Sequence, residues 1–163
     1  MSLMLKIRLI CVGKLKERFY YDAANEYHKR LGRYCNIEIT EIPESRVSEA
    51  PFRAQIDDAL LKEAAVVEKN KLTGAKTIAL CVEGRQIDSP ALSEFLKNAA
   101  ANGTSRFNFI IGGSLGLHES IKSKADMLLS MSKMTFPHNL ARVMLLEQLY
   151  RVFNILDGGK YHK

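Results

Sequence analysis

Phe107-Asn108-Phe109-Ile110-Ile111-Gly112-Gly113-Ser114-Leu115-Gly116 is the stretch that decides the fold. A short apolar run that breaks into three glycines within five positions reads as a buried strand ending in a loop. Glycines so spaced serve where backbone, rather than side chain, must approach something closely. Further along, Met131-Ser132-Lys133-Met134-Thr135-Phe136-Pro137-His138 forms a second loop, closed by Pro137 ahead of a long helical pattern. Two such loops can supply opposite walls of one ligand pocket.

Outward from these loops, strands and helices alternate. Lys6 to Val12 is a strand, Phe19 to Leu31 a helix closed by Gly32, and Ile37 to Ile42 a half-exposed strand that Pro43 ends. Phe52 to Asn70 reads as a helix with Pro51 in its first turn, Thr77 to Val82 as a buried strand, and Pro90 to Ala101 as a helix capped by Ser89. After the strand Phe107 to Ile111 come a short helix, Ser120 to Ala125, a short strand, Met127 to Ser130, and a long helix, Asn139 to Leu156. This alternation predicts an α/β fold: right-handed crossovers and a mostly parallel sheet flanked by helices. Ligands of such sheets bind beyond the carboxyl ends of the strands, where Gly84, Gly112 and the loop before Pro137 fall.

The 163 residues suit one domain, and 47% hydrophobic with 26% charged side chains is the balance of a soluble globular protein. No apolar run nears the roughly 20 residues that span a bilayer, and Met1 to Leu5 lacks the apolar segment of a signal peptide, so a cytoplasmic location is expected. Met1-Ser2-Leu3 ahead of Met4 reads as a cloning remnant, leaving 4–163 as the domain. Cys11, Cys35 and Cys81 are odd in number and set in or beside apolar strands. They read as reduced core thiols, not as a disulfide or a metal site.

The net charge of +6 is unevenly spread: residues 1 to 33 carry eight Lys or Arg against three acids, 34 to 70 four against eight, and 121 to 163 seven against three. A positive surface made from the two chain ends would suit a polyanion, nucleic acid first; a solvated mixed-charge surface is the plainer alternative. Two familiar glycine motifs are excluded. A dinucleotide fingerprint needs G-x-G-x-x-G after the first strand, and a phosphate loop needs Gly-Lys followed by Ser or Thr; neither pattern occurs. A tight turn alone remains possible for Gly112, Gly113 and Gly116, although Glu83-Gly84-Arg85 forms a second glycine turn at another strand end.

With these pieces in order, the chain from Met4 onward resembles the small SPOUT-type RNA methyltransferases that methylate N3 of a pseudouridine in large-subunit ribosomal RNA. The resemblance is carried by Ile10-Cys11-Val12-Gly13-Lys14, Ile110 to Gly116, Ser132 to His138, Arg142-Val143, Glu147-Gln148-Leu149-Tyr150-Arg151 and Tyr161-His162-Lys163. It implies a homodimer acting on large-subunit rRNA, a carboxyl-terminal deep trefoil knot, and S-adenosylmethionine as cofactor, with neither membrane nor metal; the small domain, with no appended RNA-binding module and little surface for sequence readout, suggests that the rRNA is recognised by its shape within the ribosome. Its cofactor positions fall on Leu80, Gly112 and the loop Met131, Ser132, Lys133, Met134, Thr135 and Phe136; Leu80 on its own would read as plain core.

Methyl transfer asks the protein to align donor and target nitrogen and to favour loss of the N3 proton. Cations that could stabilise an anionic base are Arg142, Arg151, His138 and His162. Glu147 and Arg151, at i and i+4, could equally form a helix-face ion pair, and His138 could simply buttress the helix start. Tyr161 and His162 could stack on a nucleobase, with Gly158-Gly159 letting the tail fold over a pocket, though a free chain end is ordinarily loose. Apolar residues surround more than half of the helix Asn139 to Leu156, which places Leu146 and Leu149 at a dimer seam as an expectation. Two other classes stay open: a cofactor-free RNA-binding module, and a nucleotide-binding regulator of the same fold class.

Overall fold

Strand β1, Lys6–Val12, carries apolar side chains on both faces: Ile7, Leu9 and Cys11 enter one core while Ile10 and Val12 enter another. A strand buried on both sides belongs in the middle of a parallel sheet covered by helices. The computed structural model describes residues 4–163, and the reading of Met1-Ser2-Leu3 lies outside them. The remaining elements are α1 (Arg18–Leu31), β2 (Asn36–Ile42), α2 (Arg53–Asn70), β3 (Lys76–Arg85), α3 (Ser89–Ala101), β4 (Arg106–Ile111), α4 (Glu119–Lys124), β5 (Met127–Leu129) and α5 (His138–Leu156).

The five strands lie in the order β2-β1-β4-β3-β5, and every neighbouring pair is parallel. On one face Leu9, Phe107, Phe109 and Ile78 pack against Leu31 of α1, Leu96 of α3 and Leu145, Leu149 and Val152 of α5. The other face is smaller, with Ile10, Ala79 and Ile110 under Ala64 and Val67 of α2 and Ile121 of α4. This doubly covered sheet leaves its carboxyl edge open, which is where the glycine turns emerge.

The structure corrects several details. Asp88, not Ser89, caps α3: its carboxylate accepts from Ala91 N at 2.8 Å, while Ser89 is the first helical residue and donates to Gln148 Oε1. A carboxylate at a helix start gains from the helix dipole as well as from the bond. Helix α2 begins at Arg53, so Pro51 lies before its first turn. Leu146 and Leu149 are wholly buried within the chain and cannot form a seam, because α5 is wedged between α1, α3 and the sheet and uses that apolar surface internally. Cys11 and Cys35 are buried free thiols, but Cys81 is only half-buried. No described helix is long and apolar enough to cross a membrane.

Strand β3 also runs past Val82, into an exposed half that ends at Arg85. There the register against β5 shifts, with both Leu80 and Arg85 facing Leu129. Gly84 makes this crossing possible, since a Cβ on it would lie 2.7 Å from the carbonyl carbons of Leu128 and Leu129. Gly84→Ala is therefore expected to push β5 away and to destabilise the fold by about 1–3 kcal/mol, the usual cost of overpacking against backbone. Urea unfolding checks this; an unchanged midpoint would mean that β5 yields freely.

Candidate active site

A cavity of about 750 Å³ opens at the carboxyl edge of β3, β4 and β5, well within the size of small-molecule sites. Leu80, Ile111 and Leu129 give it an apolar floor, the loop from Gly112 to Leu117 forms one wall, and the loop after β5 forms the other. Of the expected cofactor positions, Leu80, Gly112, Met131, Ser132, Met134, Thr135 and Phe136 line it; Lys133 shares the loop but stays exposed and outside the lining.

Both walls are shaped by backbone. At Gly112 a Cβ would stand 2.4 Å from the carbonyl oxygen of Gly116, so only glycine allows the chain to fold back directly after β4. Gly116 N then donates to Gly113 O at 3.1 Å, closing a tight turn that is also the cavity wall. The second wall holds itself: Ser130 N donates to Arg85 O, Ser130 Oγ to Ser132 O, and Met134 N to Ser132 Oγ at 3.0 Å. At the rim Lys122 donates to Glu83; that bond holds the Glu83 carboxyl below its ordinary range and raises the Lys122 ammonium. Cys81, beside them on the lining, has its thiol raised chiefly by burial. Sequence patterns gave no sign of this ion pair, whose members are 39 residues apart.

Arg142 does not open into the cavity. It is 3% exposed, and its guanidinium donates to Glu41 Oε2 at 2.7 Å and to the carbonyl of Gly13 at 3.0 Å. The same Glu41 oxygen accepts from Leu15 N at 3.2 Å. The expected base-contacting cation is thus a clamp on the loop after β1, because a buried guanidinium takes every acceptor within reach.

His138 lines the cavity mouth, and its Nε2 lies 3.6 Å from where a Gly13 Cβ would be; its side chain makes no capping bond to α5. The chain end is docked along α5. Tyr161 N donates to Asn154 Oδ1 at 2.9 Å, Tyr161 OH donates to Glu147 Oε1 at 3.1 Å, and the ring packs 4.7 Å from Tyr150 on one side and 4.7 Å from the Arg151 guanidinium on another. Burial first, then the bond to Glu147, raises the Tyr161 hydroxyl above its ordinary value. Arg151 pairs with Glu147, as the i, i+4 alternative has it, and approaches His162 Nδ1 at 3.5 Å. His162 borders a second cavity of about 710 Å³ with Tyr27, Met144 and Gln148; both cavities are lined by Leu129, Ser130 and Met131. His162 therefore stands at the second cavity and His138 at the first, while Tyr161 is docked on α5 outside either lining. Among the described residues no cluster of three His, Cys, Asp or Glu is placed to hold a metal ion.

Comparison with known proteins gives a consistent result. A family model described as "Predicted SPOUT methyltransferase" matches residues 5–162. The chain is 44% identical over 159 residues to ribosomal RNA large subunit methyltransferase H of Streptococcus pyogenes (serotype M5, strain Manfredo), covering 98% of this chain and 100% of the relative. It is 46% identical over 159 residues, with the same coverage, to the protein of that name from Bifidobacterium adolescentis. Among solved structures, a probable methylase family protein from Haemophilus influenzae Rd KW20 aligns with a TM-score of 0.54 over 96% of this chain and 70% of its own, at 14% identity, a likeness of fold.

The clamp has a measurable consequence. Arg142→Ala leaves the Gly13 carbonyl buried without its donor and Glu41 without its cation. Because the Glu41 side chain keeps 34% of its exposure, the expected loss is about 2–3 kcal/mol, below that of a fully buried broken pair. In a double-mutant cycle with Glu41→Gln, urea unfolding should give a coupling of about 1 kcal/mol or more; additive losses would mean that the two residues act separately.

Proposed function

This chain belongs to the SPOUT methyltransferase family, and we propose that it is an S-adenosylmethionine-dependent enzyme that methylates N3 of a pseudouridine in large-subunit ribosomal RNA within the ribosome. The cavity beyond the strand ends carries the proposal, since it lies where the family resemblance puts the cofactor. The relatives named ribosomal RNA large subunit methyltransferase H, 44% and 46% identical along their whole length, support the substrate.

The residues present fit S-adenosylmethionine. The apolar floor suits an adenine ring, and the backbone of the two loops offers donors and acceptors without a charged partner. A Cβ at Gly112 would fill the turn that shapes the wall. When bound, this cofactor would supply a methyl group made electrophilic by a positively charged sulfur, the S–C bond breaking to leave a neutral thioether as the methyl passes to the deprotonated target nitrogen. The protein's part is to align that nitrogen, exclude water and stabilise the anionic base. His138 at the first cavity and His162, backed by Arg151, at the second serve the base. Arg142 acts as a positioning residue through the loop after β1, and Tyr161 fixes His162.

The enzyme works as a homodimer in the cytoplasm. Its seam uses the side of α5 that the core leaves open, around Met144 and Gln148. The deep knot implied by the resemblance is supported by the backbone crossings at Gly84 and Gly112.

Calorimetry tests the cofactor. The protein should bind S-adenosylmethionine, and Gly112→Val should weaken binding at least tenfold, about 1.4 kcal/mol. Bound cofactor should also slow alkylation of Cys81 on the cavity wall, whereas Cys11, pushed up to about 12 by burial, should not react in the native protein. Absence of binding by the unaltered protein would overturn the proposal.

Removal of Tyr161 to Lys163 tests the acceptor side. Methyl transfer to ribosomes should fall at least tenfold, about 1.4 kcal/mol of transition-state stabilisation, with cofactor affinity within a few-fold of the parent. Normal turnover would take the tail out of the site.

A further inference from the structure

Glu44 stands two residues beyond β2, outside the lining of either cavity. Pro43 stops the strand, so the chain turns out over the carboxyl edge, and the Glu44 side chain reaches the glycine loop across 70 residues of sequence. Its Oε1 accepts from Ser114 N at 2.8 Å and also from Ser114 Oγ. A Cβ on Gly113 would lie 2.6 Å from this oxygen, so the carboxylate is seated directly on the loop backbone. Its Oε2 lies 3.5 Å from where a Gly13 Cβ would be, on the side that His138 also approaches.

The carboxylate is itself held from behind. The next residue, Ser45, donates its N–H to Glu63 Oε1 at 2.8 Å, and Glu63 is 4% exposed on α2. Burial alone would raise the Glu44 carboxyl; the two bonds from Ser114, with His138 and Lys16 nearby, outweigh it and leave the group below the ordinary carboxylate range. It therefore stays ionised at neutral pH, and its bonds to Ser114 are charge-assisted. A chain of contacts thus runs from α2 through Glu63, Ser45 and Glu44 to Ser114.

We propose that Glu44 is a positioning residue for the cofactor: anchored on α2, it holds the Gly112–Gly116 backbone in the shape that lines the first cavity. A segment with three glycines has unusually large freedom to lose when a ligand orders it. A carboxylate that orders it beforehand removes this cost from binding. The proposal rests on the reading that the cavity takes S-adenosylmethionine.

Three variants and one control variant test it, read out by amide exchange and by cofactor affinity and kinetics. In the ligand-free protein, Glu44→Ala should speed amide exchange at Ser114 about tenfold or more, as local opening becomes easier. By calorimetry it should weaken S-adenosylmethionine about fivefold or more, with KM for the cofactor raised and kcat at saturation near the parent's. Glu44→Gln, whose amide oxygen can accept the same two bonds, should return both readouts to within about twofold of the parent. Ser114→Ala, which keeps the N–H but loses the hydroxyl, should fall between. Glu38→Ala, near the other end of β2 and paired with Arg8 and Lys6, controls for general loss of stability.

Unchanged exchange at Ser114, or a Glu44→Ala that binds as tightly as the parent, overturns the role of Glu44. Equal weakening by Glu38→Ala overturns it too. A parent that binds no S-adenosylmethionine overturns the reading of the cavity instead, and that failure is visible before any variant is made.

Discussion

At Gly112 two stretches of backbone meet with no room for a Cβ, which would sit 2.4 Å from one carbonyl oxygen and 2.6 Å from its carbon. Everything at the carboxyl edge depends on that contact. Leaving β4, the chain cannot run on as a strand and must stand up beside the ends of β3 and β5. Gly84 repeats the constraint on the far side, where β5 lies across the exposed half of β3. Between these two crossings the edge gapes, and the space is the first cavity. The sheet beneath can hold such an arrangement because Ile, Leu and Phe side chains fill both of its faces.

Electrostatics then fixes what backbone alone leaves loose. The acidic second quarter of the chain reaches into the basic ends: Glu38 pairs with Lys6 and Arg8, and Glu41 with Arg142. Glu41 and Glu44 both leave the carboxyl end of β2, one fastening the loop after β1 and the other the loop after β4. The uneven charge of the sequence is therefore partly an internal matter. Positive charge available to a polyanion is narrower than the count suggests, and it lies with exposed residues such as Lys14, Lys16, Lys133 and Lys163.

Element order was legible because each segment has one clear period and one clear stop: Val12 before Gly13, Leu31 before Gly32, Ile42 before Pro43, Ile111 before Gly112. The cavity was legible for the same reason, since glycine at a strand end says that backbone is being approached. Side-chain partnership was not. Arg142 and Glu41 are 101 residues apart, and nothing local marks a cation that will be consumed by a distant acid. Leu146 and Leu149 looked free because periodicity tells which side of a helix is apolar, not how many neighbours will cover it. Helix α5 is covered on three sides, by α1, by α3 and by the sheet.

The two cavities differ in material, and the difference bears on how each tolerates change. The first is walled largely by main chain, with apolar side chains for a floor, so its shape is insensitive to most substitutions except those that add bulk at a glycine. The second is walled by side chains, apolar ones such as Ile87, Leu92 and Val143 beside Tyr27, Glu147, Gln148 and His162, and among the polar ones Gln148 is fixed by its bond to Glu147 and His162 by its approach to Arg151. Tyr161, outside that lining, docks the chain end that carries His162: it bonds Asn154 and Glu147, packs edge-on against Tyr150, and carries the Arg151 guanidinium over its ring. A chain end is ordinarily loose, and here four separate contacts through one residue order it. Leu129, Ser130 and Met131 join the two spaces; Leu129 ends β5, the shortest described strand, whose place is set by Gly84, and Ser130 and Met131 follow it directly. The geometry of the junction is thus inherited from the same close approach of backbones that opens the first cavity.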